Sequence, residues 1–235
     1  MSTPEEARLG ELTAGLARVQ ARIEAACRLA GRPRAEVQLV VVTKTFPASD
    51  VRLLVDLGVH EVGESRDQEA AAKAASCADL ELTWHFVGRL QSNKARSVAS
   101  YASVVHSVDR LPLVAALAAG ATRAGREVAV LAQVSLDGDP ARGGMPVDGV
   151  PALAAAIAAA EHLVLRGVMA VAPMGVDPAA AFARLADVAH AVRREHPAAR
   201  WVSAGMSGDL EAAVASGATH LRVGSAILGS RPSLR

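Results

Sequence analysis

The sequence predicts an α/β protein whose parallel strands close into a single (β/α)8 barrel, with one extra helix at the N-terminus. Three observations carry the prediction. Eight short apolar or β-branched segments alternate with helical patterns. The 235 residues are enough for one barrel, taken as a single domain over 1–235. No Gly-x-Gly-x-x-Gly follows the first strand, which disfavours the runner-up, a doubly wound open sheet.

Residues 5–30 place Leu9, Leu12, Leu16, Val19, Ile23 and Ala26 at three-four spacing, the mark of an amphipathic helix. Gly31-Arg32-Pro33 ends it. The first strand, 39–43, opens with four consecutive apolar residues and reads as buried on both faces. Further strands are expected at 61–63, 83–88, 103–108, 128–134, 163–171, 201–204 and 220–224. Helical patterns fill the gaps at 50–56, 66–75, 91–99, 113–124, 150–160, 179–194 and 210–216. Such alternation implies crossover connections and a parallel sheet. The Gly- and Pro-rich stretch 137–149 reads as one long rim loop.

Composition narrows the function classes. Net charge is +1 and aromatics are 3%, so neither a basic footprint nor a stacking platform for nucleic acid is expected. No apolar stretch suits a bilayer, and the polar, acidic start Met1-Ser2-Thr3-Pro4-Glu5-Glu6 is no leader, so a cytoplasmic protein is expected. Cys27 and Cys77 sit in helical patterns without metal spacing; they read as buried small hydrophobes in a reducing compartment, and no metal site is expected.

In a parallel barrel, reactive groups collect at the C-terminal ends of the strands. Lys44 ends the first strand, and desolvation of its stem is expected to lower its pKa and favour the neutral amine that attacks an aldehyde. Across the mouth, Ser207-Gly208 precedes a helix and Gly224-Ser225 ends the last strand. Both loops offer hydroxyls and close backbone approach, which suits a phosphate. An amine for an aldehyde opposite a phosphate cradle suggests pyridoxal 5'-phosphate (PLP). His85 and His106 read as core histidines with satisfied hydrogen bonds, and Lys94 as solvated at a helix start. Glu64, an acid at a strand end on the active rim, is a functional candidate or a partner of Arg66 or Arg89.

The segments Val42-Thr43-Lys44-Thr45, Gly63-Glu64-Ser65-Arg66, Trp84-His85-Phe86-Val87-Gly88-Arg89-Leu90-Gln91-Ser92-Asn93-Lys94, His106-Ser107-Val108-Asp109, Gly205-Met206-Ser207-Gly208-Asp209 and Arg222-Val223-Gly224-Ser225 together resemble the PLP homeostasis protein family. That family has the TIM barrel of the alanine racemase N-terminal domain, the fold-type III arrangement of PLP proteins. The resemblance spans nearly the whole chain. It implies that Lys44 holds PLP as a Schiff base, that Met206, Ser207, Gly224 and Ser225 bind the phosphate, and that Arg222 lies near the pyridine nitrogen. A permanent cation there disfavours ring protonation and weakens the electron sink. Ser65 stands where the family usually has Asn, so it joins the cofactor-binding set with a shorter hydroxyl in place of an amide.

The resemblance also implies a role in vitamin B6 balance, with PLP-dependent apo-enzymes as candidate recipients. The alternative is a PLP-dependent amino-acid racemase or related enzyme. A two-base racemase needs a second acid/base opposite the lysine. In the related racemases this is a tyrosine presented with the help of a second, all-β domain. Here the chain ends soon after the last strand, and Tyr101 is predicted at the far end of the barrel. A carrier with no catalytic residues, a monomer without that second domain, is therefore expected.

Overall fold

The computed structural model describes residues 3–139 and 142–229. In chain order its strands are β1 (Gln38–Val42), β2 (Glu61–Glu64), β3 (Thr83–Phe86), β4 (Val104–Val108), β5 (Val128–Ser135), β6 (Met145–Pro146), β7 (Leu163–Met169), β8 (Trp201–Ser203) and β9 (His220–Val223). All except β6 form a closed parallel barrel in sequential order, completed where β9 pairs with β1 and β4 with β5. The helices are α1 (Pro4–Leu29), α2 (Ala48–Asp56), α3 (Asp67–Ser76), α4 (Ala95–Tyr101), α5 (Leu111–Ala124), α6 (Val150–Ala159), α7 (Pro178–Glu195), α8 (Leu210–Ala215) and α9 (Ser225–Leu228). Each of the eight expected barrel strands is present, as is each expected helix apart from the one over 91–99.

Two expectations need correction. The pattern at 91–99 is not one helix: a 3-10 turn over Ser92–Lys94 precedes α4. Packing explains the later start, because Ala95, Val98 and Ala99 are the buried positions of α4. Gly120 of α5 meets them so closely that an added Cβ would lie 2.9 Å from the Arg96 Cα. The stretch 137–149 is not a plain loop either. Its second half forms β6, which pairs with the end of β5, followed by a 3-10 turn at Val147–Gly149. Residues 140–141 of that stretch lie outside the described residues.

The main core lies between the strands and the helical ring. Val41, Val62, Val130 and Val168 from the strands are fully buried with Leu54, Leu117, Ile157 and Leu185 from the helices. The barrel interior is divided. Val104, Leu131 and Met169 make a small apolar cluster on the β4–β5–β7 side. The other side is polar, holding His85, His106, Ser203 and Arg222. Most barrels fill this space with branched aliphatic residues.

The leading helix has its own anchorage. A capping box between Thr3 and Glu6 starts α1, with Pro4 in the first turn. Leu12, Leu16, Val19 and Ile23 are buried beneath it. At Gly15 the helix runs against α9 so tightly that a Cβ would fall 2.4 Å from the Ile227 carbonyl oxygen. Arg22 donates to the Ser207 carbonyl oxygen at 2.9 Å and pairs with Glu211 at 2.7 Å. The N-terminal helix thereby braces the loop after β8.

Candidate cofactor site

Six of the eight barrel strands send residues to one cavity of about 560 Å³ at their C-terminal ends. Lys44, Ser65, Met206, Ser207, Arg222, Gly224 and Ser225 all line it, together with Phe46, Gly88 and Val171. The structure thus brings together the seven residues singled out in the sequence. Its size suits a small-molecule ligand.

Lys44 sits just past β1, half-buried in the cavity wall rather than sealed within a strand. Among the described residues its amine makes no hydrogen bond or ion pair. The next residue, Thr45, has φ of 70°, a left-handed conformation that a β-branched residue rarely adopts. The Thr45 backbone N–H donates to Glu69 Oε1 at 2.5 Å, which pins the turn that presents Lys44.

Behind this turn lies a buried ionic cluster that the sequence did not reveal. Lys73 of α3 donates to Glu64 Oε1 at 2.5 Å, to the Thr43 carbonyl at 2.9 Å and to Glu69 Oε1 at 3.2 Å. Thr43 Oγ1 adds a bond to Glu64 Oε1 at 2.6 Å. Glu64 therefore pairs with Lys73, not with Arg66 or Arg89, and lies behind the site rather than in it. Burial pushes the Glu64 carboxyl above its ordinary range, against the opposing pull of Lys73 and Thr43.

At the opposite wall, Ser225 Oγ and Ser207 Oγ are 3.3 Å apart, and the Ala226 N–H donates to Ser207 Oγ at 3.4 Å. At Gly224 a Cβ would come 2.9 Å from the Val42 carbonyl oxygen, so a side chain would press on β1 beside Lys44. The Met206 N–H is already given to Asp209 Oδ1, so Met206 offers the cavity its partly exposed side chain. Gly88 and Ser65 close a third wall, with a Cβ on Gly88 only 2.1 Å from the Ser65 carbonyl oxygen.

Arg222 enters from the floor. It is 5% exposed; its Nη1 donates to Ser203 Oγ at 2.5 Å and its Nη2 to the Ala170 carbonyl at 2.9 Å. Burial lowers its pKa to about 10, which leaves it charged at neutral pH. A free amine, a buried cation and a hydroxyl pair around one cavity fit PLP: an aldehyde, a pyridine ring and a phosphate find matching partners.

Below the floor, His85 and His106 do make satisfied core hydrogen bonds, and they make them to each other, Nδ1 to Nε2 at 2.8 Å. Burial holds His106 well below its ordinary pKa and His220 at about 4. Both are neutral in the fold at pH 7, whereas in the unfolded chain they protonate near pH 6.5. Between pH 6.5 and about 4 the unfolded chain binds protons that the barrel refuses, so stability falls as pH drops through this window. His220 alone accounts for roughly 3 kcal/mol at its lower end. Urea midpoints measured from pH 7 to pH 4 check this, and a flat profile would contradict neutral burial.

Tyr101 does not line the cavity. Its hydroxyl lies 3.4 Å from Asp67 Oδ1 in the helical layer, and burial beside that carboxylate raises its pKa. Among the described residues no cluster of His, Cys, Asp and Glu could hold a metal ion, and no helix is long and apolar enough to cross a membrane. Cys27 and Cys77 are free and buried.

Known proteins share the fold that carries this cavity. Residues 15–232 match the family model for the alanine racemase N-terminal domain. A Corynebacterium glutamicum protein named pyridoxal phosphate homeostasis protein is 42% identical, over 91% of this chain and 99% of its own length. A Mycobacterium tuberculosis protein of the same name is 44% identical, over 95% of this chain and 94% of its own. Among solved structures, PipY of Synechococcus elongatus with PLP bound superposes with a TM-score of 0.78 at 35% identity, covering 88% of this chain and 99% of PipY. A barrel lined in this way, with relatives this similar along its length, belongs to the pyridoxal phosphate homeostasis protein family, built on the alanine racemase N-terminal domain.

Proposed function

We propose that this chain holds PLP in the 560 Å³ cavity, covalently through Lys44, and acts in intracellular PLP homeostasis rather than in turnover of amino acids. The observation that carries the reading is the unpartnered Lys44 amine on the same cavity as the Arg222 guanidinium and the Ser207–Ser225 hydroxyl pair. When bound, PLP supplies an aldehyde that condenses with amines and a ring that draws electrons from them.

The chain's own residues have separable tasks. Lys44 would hold the cofactor's aldehyde through its Nζ. Ser207 and Ser225 would bind its phosphate through their hydroxyls. Arg222 would set a positive charge beside its ring nitrogen and discourage protonation there. Ser65 offers the remaining wall a short hydroxyl. Among the described lining residues there is no carboxylate, histidine or tyrosine to act as a second acid/base opposite Lys44. This favours holding over racemisation. In this reading residues 1–235 form one monomeric, cytoplasmic domain, and the open mouth lets PLP-dependent apo-enzymes collect the cofactor.

The test is borohydride reduction of the PLP-loaded chain followed by peptide mapping. The adduct is expected on Lys44, and Lys44→Ala is expected to abolish both the adduct and the visible absorbance. The other lysines make poor competitors: Lys73 is locked in its ion pairs, and Lys94 lies outside the cavity near Asp67. An adduct on either of them, or steady racemisation by the pure protein, would overturn the reading.

A further inference from the structure

A row of hydrogen bonds runs down the polar half of the barrel interior, from the cavity floor to the opposite face. Arg222 of β9 donates to Ser203 Oγ of β8 at 2.5 Å, and Ser203 Oγ lies 2.8 Å from His106 Nδ1 of β4. His106 Nε2 is 2.8 Å from His85 Nδ1 of β3, and His85 Nε2 is 2.5 Å from Glu61 Oε2 of β2. Ser203 and His106 are fully buried and His85 nearly so. Glu61, the first residue of β2, is 26% exposed in its side chain and borders a cleft at the N-terminal face.

Chemistry assigns the row a direction. A guanidinium only donates, so Ser203 Oγ accepts from Arg222. An ionised carboxylate only accepts, so the proton between His85 and Glu61 sits on His85 Nε2. A ring that gives its one proton to Glu61 from Nε2 accepts at Nδ1, which puts the His106 proton on Nε2. His106 Nδ1 is then left to accept the hydroxyl proton of Ser203. Each donor points towards Glu61, and each polar atom along the row has a partner. The other titratable groups acting on the row are His220, which faces both imidazoles with ring centroids 6.5 and 6.4 Å away, and Asp209, whose charge acts on Arg222.

We propose that His106 and His85 are positioning residues for Arg222: with Ser203 they form a one-directional relay that fixes the guanidinium and transmits the charge state of Glu61, on the far face of the barrel, to the cavity floor. The effect on bound cofactor rests on the reading that PLP occupies the cavity with its ring nitrogen towards Arg222. The relay itself can be read without ligand. Only a partner that must accept at position 61 imposes this direction, since Ser203 can serve His106 as donor or acceptor.

The experiment is nitrogen NMR of the histidine side chains in the full chain, with and without PLP. His85 and His106 are expected to carry their protons on Nε2. Glu61→Lys, whose ammonium only donates, is expected to move both protons to Nδ1. The milder Glu61→Gln, whose amide donates or accepts, is expected to populate both forms of His106. A His106 proton on Nδ1 in the parent chain, or one that ignores both substitutions, overturns the relay. In the PLP-loaded chain, Glu61→Gln is expected to shift the pH midpoint of the visible band by about half a unit. The shift should vanish when His106→Asn also breaks the row, because Asn keeps an acceptor for Ser203 but loses His85. Equal shifts in both backgrounds, or none in either, refute transmission to the floor. Failure of PLP to load on Lys44, with tautomers that still follow residue 61, removes the functional reading and leaves the relay standing.

Discussion

Lys73→Met is expected to lower the unfolding free energy by about 3–5 kcal/mol, a large share of the stability of an ordinary domain. The ammonium is buried and is shared among Glu64, the Thr43 carbonyl and Glu69. Its removal strands the Glu64 carboxylate, 1% exposed, whose Oε2 already has no hydrogen-bond partner. A buried charge left without its counter-ion costs far more than the intact pair contributed. The carboxyl must then take up a proton, so the loss grows as pH rises above the ordinary carboxylate range. Chemical denaturation at pH 5 and pH 8 reads both the size and the trend. Replacing the pair together, Lys73→Met with Glu64→Leu, is expected to restore much of the loss, since no charge is left stranded. A single Lys73→Met within 1 kcal/mol of the parent would show that the pair is not desolvated as described. The turn carrying Lys44 rests on the same cluster through Thr43 and Glu69. The destabilised variant is therefore expected also to load PLP more slowly.

Ser207→Asp is expected to weaken PLP binding by about 100-fold or more while leaving the melting temperature of the unliganded chain within a few degrees. The hydroxyl that faces Ser225 and the Ala226 N–H is replaced by an anion where a phosphate is to be held. Two like charges about 4 Å apart repel by about 4 kcal/mol at an effective dielectric constant of about 20, which covers the expected loss after partial screening. Ser207 is half-buried on the loop after β8, and its side chain carries none of the main core. Equilibrium titration with PLP reads the affinity, and a thermal melt without ligand is the control. Unchanged affinity would place the phosphate elsewhere.

Contacts local in sequence were legible from it. Apolar runs such as Leu39–Val42 marked the strands, and their alternation with helical patterns marked the barrel. Lys44, Ser207 and Gly224-Ser225 stood out because strand ends in a parallel barrel share one rim. Lys73 did not stand out: a lysine in an alanine-rich helix reads as part of a solvated face, and only the approach of α3 to β2 buries it against Glu64. Histidines 85 and 106 were each placed correctly in the core, but their contact depends on the stagger of β3 against β4, in which His85 lies level with Val104. Inward-facing positions on neighbouring strands were the available signal. β6, at two residues, is too short to carry a periodicity. The left-handed Thr45 is a local feature with no local cause; Glu69, 24 residues away, holds it.

The clasp of α1 on the loop after β8 has a thermodynamic corollary. Arg22 reaches the Ser207 carbonyl across 185 residues of chain, and the glycine at 15 lets the helix lie flush against α9. Coupling of this kind is reciprocal. Whatever rigidity a phosphate lends to that loop passes in part to the N-terminal helix, and a chain trimmed of the helix surrenders the same free energy at a mouth the helix steadies through Arg22.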